Sequence, residues 1–340
     1  MNYCNNIMIS TPEKNKTISS VEPKSTAYNH PVAIRFDQAK EFLSTHFSDE
    51  VTNAEPVGRG LWSQAFFFRH ADNDYVIRFG NEDESYEKDR IASKYSSEKL
   101  SIPTITEVGI ALEHHFAISK RSAGIMIDEL GQKEMEKIIP SIMDMLDALR
   151  QADISTTIGY GHWNKNERGQ YSSWRDFLLA VGTDHPTSKI HGWRASLKAS
   201  PQGIEFFDQM ADRLKILAEK SYEGRHLVHT DLLHFNVLSA GGKISAVIDW
   251  GNSMYGDFLY DLANFTFWAP LHPAIEKINW ITTAKQYFGE KGVEIPNFDG
   301  RLRACEIHIG LAGMAWNAHT KNWKELEATT KRIRDLVESS

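Results

Sequence analysis

The sequence predicts an α+β chain of two lobes, a small antiparallel sheet with one long helix followed by a large, mainly helical lobe. Three observations carry that expectation. Short strand-like runs separated by polar or glycine turns crowd the first third of the chain. From Gly124 onward, apolar residues recur at helical spacing. One strong hairpin signal, Val237-Leu238, Gly241-Gly242 and 244–248, interrupts the helices. At 340 residues, 41% hydrophobic and 24% charged, the chain is long enough for two lobes and ordinary in composition for a globular protein.

Residues 1–30 read as a disordered tail, lacking the basic and apolar regions of a signal peptide. The smaller lobe, 31–120, opens on FDQAKEFLSTHF (36–47), whose apolar spacing predicts an amphipathic helix. Strands are expected at 54–57, 65–70 and 75–79, the last two joined by the polar turn Ala71-Asp72-Asn73-Asp74. A charged helix follows at 83–95, then a strand flanked by Pro103 and Gly109, and a last strand, HFAISK (115–120), placed as a hinge. In the larger lobe, 121–340, helices are expected at 134–152, 173–181, 204–221, 259–267, 301–323 and 325–338.

Bulk properties exclude several functions. No apolar run approaches the ~20 residues of a membrane span. A net charge of −7 argues weakly against a nucleic-acid partner and is compatible both with a cationic small-molecule substrate and with a charge that only keeps the protein soluble. Cys4 and Cys305 are too few for a disulfide framework or a cysteine metal site, so a reducing cytoplasm is the expected location. A monomer is expected separately, on no sequence signal.

The chemistry concentrates between His229 and Asp249. Asp231 stands five residues before Asn236, and the Gly-Gly hairpin then delivers Asp249 at a strand tip. Phosphoryl transfer from a nucleoside triphosphate needs these groups: a carboxylate (Asp231) facing the acceptor hydroxyl, and an amide (Asn236) and a carboxylate (Asp249) offering oxygen to Mg²⁺. His229 is expected to be a packed histidine shaping the loop. Asp257 is expected to cap the helix at 259–267, and Asp261 to hydrogen-bond back onto the catalytic loop. Thr230 occupies the place where regulated protein kinases carry an arginine. With the short run from Asp249 to Asp261, this favours an unregulated small-molecule kinase.

In the smaller lobe, Gly58, Gly60 and Ser63 stand where a strand–loop–strand would cover phosphates, although the full glycine spacing is missing. Arg78, ending YVIRF, is expected to pair with the nucleotide phosphates. Its acidic partner is expected on the next helix, Glu87 first, with Glu84 and Asp89 as alternatives. The backbone near Ile118 and Lys120 is expected to read the purine edge and Ile248 to flank the ring; ATP and GTP are not distinguished.

The segment 226–257, HLVHTDLLHFNVLSAGGKISAVIDWGNSMYGD, resembles the catalytic segment of the aminoglycoside phosphotransferase family, and within it the members that act on hygromycin B. GQYSSWRDF (169–177), DYVIRF (74–79), ISKRSAG (118–124) and RLRACEIHIG (301–310) support the likeness, which runs from about 58 to 310. The resemblance implies a protein-kinase-like bilobal fold and transfer of a nucleotide γ-phosphate to an aminocyclitol hydroxyl, conferring resistance. It carries the catalytic role to Asp231, the magnesium roles to Asn236 and Asp249, and phosphate contact to Arg78. An aminoglycoside is a polyol bearing ammonium groups, so its pocket should be acidic and aromatic. Asp176 is the expected substrate contact, with Trp250, Asn252 and Trp268 as cleft walls. A metabolic kinase of the same fold, acting on choline, a sugar or a thioribose, is the alternative.

Overall fold

A computed structural model describes residues 32–48, 51–59, 63–220, 222, 224–233 and 235–338. The expected tail therefore lies outside the described residues. The described chain divides into two compact units. The smaller takes the residues up to Lys94 together with Pro103–Ser122, and the larger takes Tyr95–Ile102 and the chain from Ala123 onward.

The smaller unit contains helix α1 (Phe36–Phe47), strands β1 (Thr52–Arg59), β2 (Ser63–His70) and β3 (Asn73–Gly80), helix α2 (Glu84–Ala92), and strands β4 (Ile105–Ala111) and β5 (His114–Lys120). Its five strands pair antiparallel in the order β1-β2-β3-β5-β4. Alternation places Phe66 and Phe68, Ile77 and Phe79, and Phe116 and Ile118 in one core, to which α1 contributes Ala39 and Leu43. The hairpins β2–β3 and β4–β5 each turn on two left-handed residues, Ala71-Asp72 and Leu112-Glu113. Such turns match the right-handed twist of the strands they join.

The larger unit begins with the short strand β6 (Ile125–Met126) and helix α3 (Gln132–Gln151). Strands β7 (Tyr160–Trp163) and β8 (Gly169–Tyr171) follow, then helices α4 (Trp174–Ala180), α5 (Trp193–Lys198) and α6 (Glu205–Ala218). Next come strands β9 (His226–Val228), β10 (Val237–Ala240), β11 (Lys243–Val247) and β12 (Met254–Gly256). Helices α7 (Leu259–Trp268), α8 (Trp280–Glu290), α9 (Phe298–Thr320) and α10 (Trp323–Glu338) close the chain.

Helix α9 is buried on nearly every face and packs against α5, α6, α7 and α10. Gly310 permits the closest approach there: a Cβ would lie 2.5 Å from Ile333. The expected hairpin is present as β10–β11, turning on Gly241 (φ 60°) and Gly242 (φ 77°). The sequence reading missed a four-stranded sheet, β8-β7-β12-β9. Its strands of three or four residues are too short to display a period. Among the described residues, no helix is long and apolar enough to cross a membrane.

Candidate active site

The loop between β9 and β10 is held by its own polar atoms. His229 is fully buried; its Nε2 hydrogen-bonds the Ile248 carbonyl at 3.0 Å, which makes Nε2 the protonated nitrogen. The other nitrogen, Nδ1, accepts the Asp231 N–H at 3.3 Å. The ring also meets Trp250 edge-on, with centroids 4.7 Å apart. His229 is thus a neutral bracket, as the sequence suggested.

Asp231 is 4% exposed, and its carbonyl accepts the Asn236 Nδ2–H at 2.7 Å. That bond leaves the amide oxygen of Asn236 as its outgoing donor atom. Hydrogen bonding also joins this loop to the end of β11: Ile248 N donates to the Asn236 carbonyl at 2.9 Å. Asp249 follows directly, partly exposed, in the left-handed region at φ 61°. Asp231, Asn236, Ile248 and Asp249 are therefore brought together.

Two more left-handed residues, Thr230 (φ 75°) and Phe235 (φ 58°), flank the loop. A β-branched residue rarely adopts such a conformation, and holding one there costs about 1–3 kcal/mol. The stabilising partner is Asp261 on α7: its carboxylate accepts Thr230 N–H at 2.7 Å and His229 N–H at 2.9 Å. Burial lifts the Asp261 carboxyl to about 7, against the lowering effect of these two bonds. Asp257 is not the N-cap of α7, which is Phe258; one residue earlier, it accepts Leu259 N–H at 3.0 Å. It also makes a buried, two-pronged pair with Arg301 at 2.7 and 2.8 Å, which the sequence did not reveal.

The Asn252 carbonyl accepts both Thr230 Oγ1–H, at 3.1 Å, and His162 Nδ1–H, at 2.7 Å. Asn252 itself is partly exposed. His162 lies on β7 and meets Phe177 of α4 edge-on at 5.8 Å, so α4 reaches the catalytic loop through these rings. Asp176 is the exposed neighbour of Phe177 in the first turn of α4. The Ser172 hydroxyl, with Ser173, holds its carboxyl below the usual range. Trp268 ends α7, partly exposed, packed edge-on against Phe267.

One expected cleft wall is corrected. Trp250 is 1% exposed and donates its indole N–H to the Val247 carbonyl at 3.2 Å. The left-handed turn at Asp249 folds Trp250 inward, beneath the loop, where it packs rather than lines a surface.

In the smaller unit, Arg78 lies on β3 between Ala65 and Ala117 of the neighbouring strands, with its guanidinium over the Tyr86 ring at 5.2 Å. Its ion-pair partner on α2 is Asp89, correcting the first choice of Glu87. Glu87 faces Arg90 instead, at 2.6 Å. The buried residues of α2 are Tyr86, Lys88, Asp89, Ile91 and Ala92, so the burial of Asp89 leaves no clean helical period in the sequence.

The purine-edge reading of Ile118 and Lys120 is also corrected. Ile118 pairs with Ile77 on one side and Glu107 on the other, and its carbonyl accepts Thr106 Oγ1–H at 3.1 Å. Lys120 N–H is spent on the Thr104 carbonyl at 3.3 Å. These backbone groups belong to a central strand of the sheet. Gly58 pairs with Ala65 at the end of β1 and Ser63 begins β2 opposite Gly80; Gly60 lies outside the described residues.

Comparison with known proteins matches this geometry to one family. A profile of the phosphotransferase enzyme family covers residues 53–278. The chain is 32% identical to the hygromycin-B 4-O-kinase of Escherichia coli over 277 residues, which span 80% of this chain and 76% of the relative. Among solved structures it resembles a thermostable mutant of aminoglycoside phosphotransferase APH(4)-Ia in a ternary complex with AMP-PNP and hygromycin B. The TM-score is 0.78 at 30% identity, covering 89% of this chain and 98% of that one. A spectinomycin phosphotransferase, APH(9)-Ia, shares the fold at 14% identity and a TM-score of 0.56, over 89% and 94% of the two chains. The fold is protein-kinase-like.

Proposed function

The chain belongs to the phosphotransferase enzyme family, and from that premise we propose that it transfers the terminal phosphate of ATP or GTP to a hydroxyl of hygromycin B, inactivating the antibiotic. The observation that carries this reading is the identity to the hygromycin-B 4-O-kinase over most of both chains, joined to a loop that pins Asp231 and Asn236 together. In this reading, residues 31–120 bind nucleotide and residues 121–340 hold the acceptor and the catalytic groups.

Asp231 orients the acceptor hydroxyl and takes its proton late in the transfer. In the smaller unit Arg78, fixed by Asp89, is assigned to the phosphates, together with Gly58 and Ser63. Asp176 offers charge to the ammonium groups of the acceptor, and Asn252 and Trp268 wall its site. Trp250 has no part in it.

Magnesium fits the donor set. Asn236 and Asp249 offer hard oxygen atoms, and among the described residues no cluster of three or more His, Cys, Asp or Glu side chains is placed to hold a metal by itself. A hard cation such as Mg²⁺ would accept these two oxygen donors. Asn236 and Asp249 would hold it, and a bound Mg²⁺ would supply charge neutralisation for the phosphates.

The test is incubation of the purified protein with Mg-ATP and hygromycin B, read by mass spectrometry. Phosphorylated antibiotic is expected, and unmodified antibiotic sinks the substrate assignment. Asp231→Ala should abolish turnover while nucleotide affinity, measured by calorimetry, stays close to that of the parent. Surviving turnover sinks the assignment of Asp231.

A further inference from the structure

Left-handed residues bracket the catalytic loop, and each end is held by a carboxylate from elsewhere in the chain. Asp261 holds Thr230. At the other end Phe235 N–H donates to Asp128 Oδ2 at 3.0 Å, across 107 positions of sequence. We propose that Asp128 is a positioning residue for phosphoryl transfer: its carboxylate keeps Phe235 left-handed and thereby aims the amide oxygen of Asn236. This role rests on the assignment of Asn236 to magnesium made above.

The topology explains why Asp128 stands there. Strand β6 pairs antiparallel with β10, Met126 opposite Leu238 and Ile125 opposite Ser239. Beyond Met126 the chain leaves the strand, next to the residues that enter β10, and there Asp128 meets Phe235 N–H. Ile127, fully buried, anchors the single helical turn Ile127–Glu129 that presents the carboxylate.

A phenylalanine at φ 58° is disfavoured without an external tie, because its Cβ crowds its own backbone. Loss of the Asp128 acceptor would let Phe235 relax toward an ordinary conformation and rotate the peptide that leads into Asn236. The 2.7 Å bond from Asn236 Nδ2 to the Asp231 carbonyl would then break, and the amide oxygen would lose its direction. One carboxylate thus governs the relation between the residue assigned to the acceptor and the residue assigned to the metal.

The test reads magnesium dependence without an acceptor, so it is independent of the antibiotic's identity. Binding of AMP-PNP is measured by calorimetry across a magnesium titration for the full-length chain and its variants. Asp128→Ala should raise the magnesium concentration for half-maximal binding by roughly tenfold or more, as expected for losing a charge-assisted hydrogen bond. Asp128→Asn retains an oxygen acceptor and should stay within about threefold of the parent. Phe235→Gly, which tolerates positive φ, should make the second change silent: Phe235→Gly with Asp128→Ala should titrate like Phe235→Gly alone.

A merely structural role for Asp128 predicts a lower melting midpoint with unchanged magnesium dependence, and that result overturns the proposal. So does an Asp128→Asn variant as impaired as Asp128→Ala. Asn236→Ala separates the two levels of inference. If it shifts the magnesium titration and Asp128→Ala does not, only Asp128 loses its role. If Asn236→Ala shifts nothing, the metal assignment fails and the positioning role falls with it.

Discussion

Replacing Asp261 with alanine should have an effect on stability that changes with pH, together with a fall in turnover. The side chain accepts two backbone N–H groups, from His229 and Thr230, and a methyl group in its place would leave both buried without an acceptor. Each such loss costs about 1–3 kcal/mol. Against this stands the burial of a charge. Lifting the carboxyl from 3.8 to about 7 penalises its ionised form by roughly 4 kcal/mol once the pH exceeds both values.

The sign follows from proton counts. Between about pH 4 and 7 the folded state holds a proton on Asp261 that the unfolded state has released, so the parent loses stability as pH rises through that window. Asp261→Ala removes the penalty along with the bonds. It should therefore destabilise markedly at pH 5 and by roughly 3 kcal/mol less at pH 8. Urea unfolding of parent and variant at both pH values measures the difference directly, since other titrating groups cancel in the comparison. Turnover at pH 8 should fall roughly 10- to 100-fold as Thr230 relaxes and Asp231 loses its setting. An equal loss of stability at both pH values refutes the assignment of a protonated, buried Asp261. Unchanged turnover refutes its bracing of the loop.

Two further outcomes concern buried groups outside the loop. Asp257→Ala should lower stability by about 3–5 kcal/mol in urea titration, because it strands the Arg301 guanidinium in the interior. Changing both residues together, Asp257→Leu with Arg301→Met, should cost less than the single change, and the opposite order would contradict this account. Burial pushes His308 down to about 3, so on acidification below its usual 6.5 only the unfolded state gains a proton there. This linkage removes about 2 kcal/mol of stability by pH 5. His308→Gln should flatten that acid limb in denaturation curves, and an unaltered limb would rule out a neutral, buried His308.

What the sequence determined by itself was local. Helix α1 has the predicted boundaries because a twelve-residue apolar period is self-evident, and the Gly241-Gly242 hairpin follows from two residues suited to positive φ. The spacing of Asp231, Asn236 and Asp249 is equally local, set by one loop and one hairpin. His229 and Asp261 were legible for the same reason, as polar residues in an otherwise apolar stretch that need partners nearby.

Tertiary structure decided the rest, because burial and long-range partners leave little trace in spacing. Asp89 outranks Glu87 only once α2 has turned one face inward. Trp250 changes from cleft wall to core through a single left-handed turn at Asp249. Ile118 and Lys120 lose their free backbone when β5 becomes a central strand. Asp128 and Phe235, 107 positions apart, meet only because β6 pairs with β10. A carboxylate in sequence carries no address for its partner; the fold supplies one by choosing which polar groups leave water together.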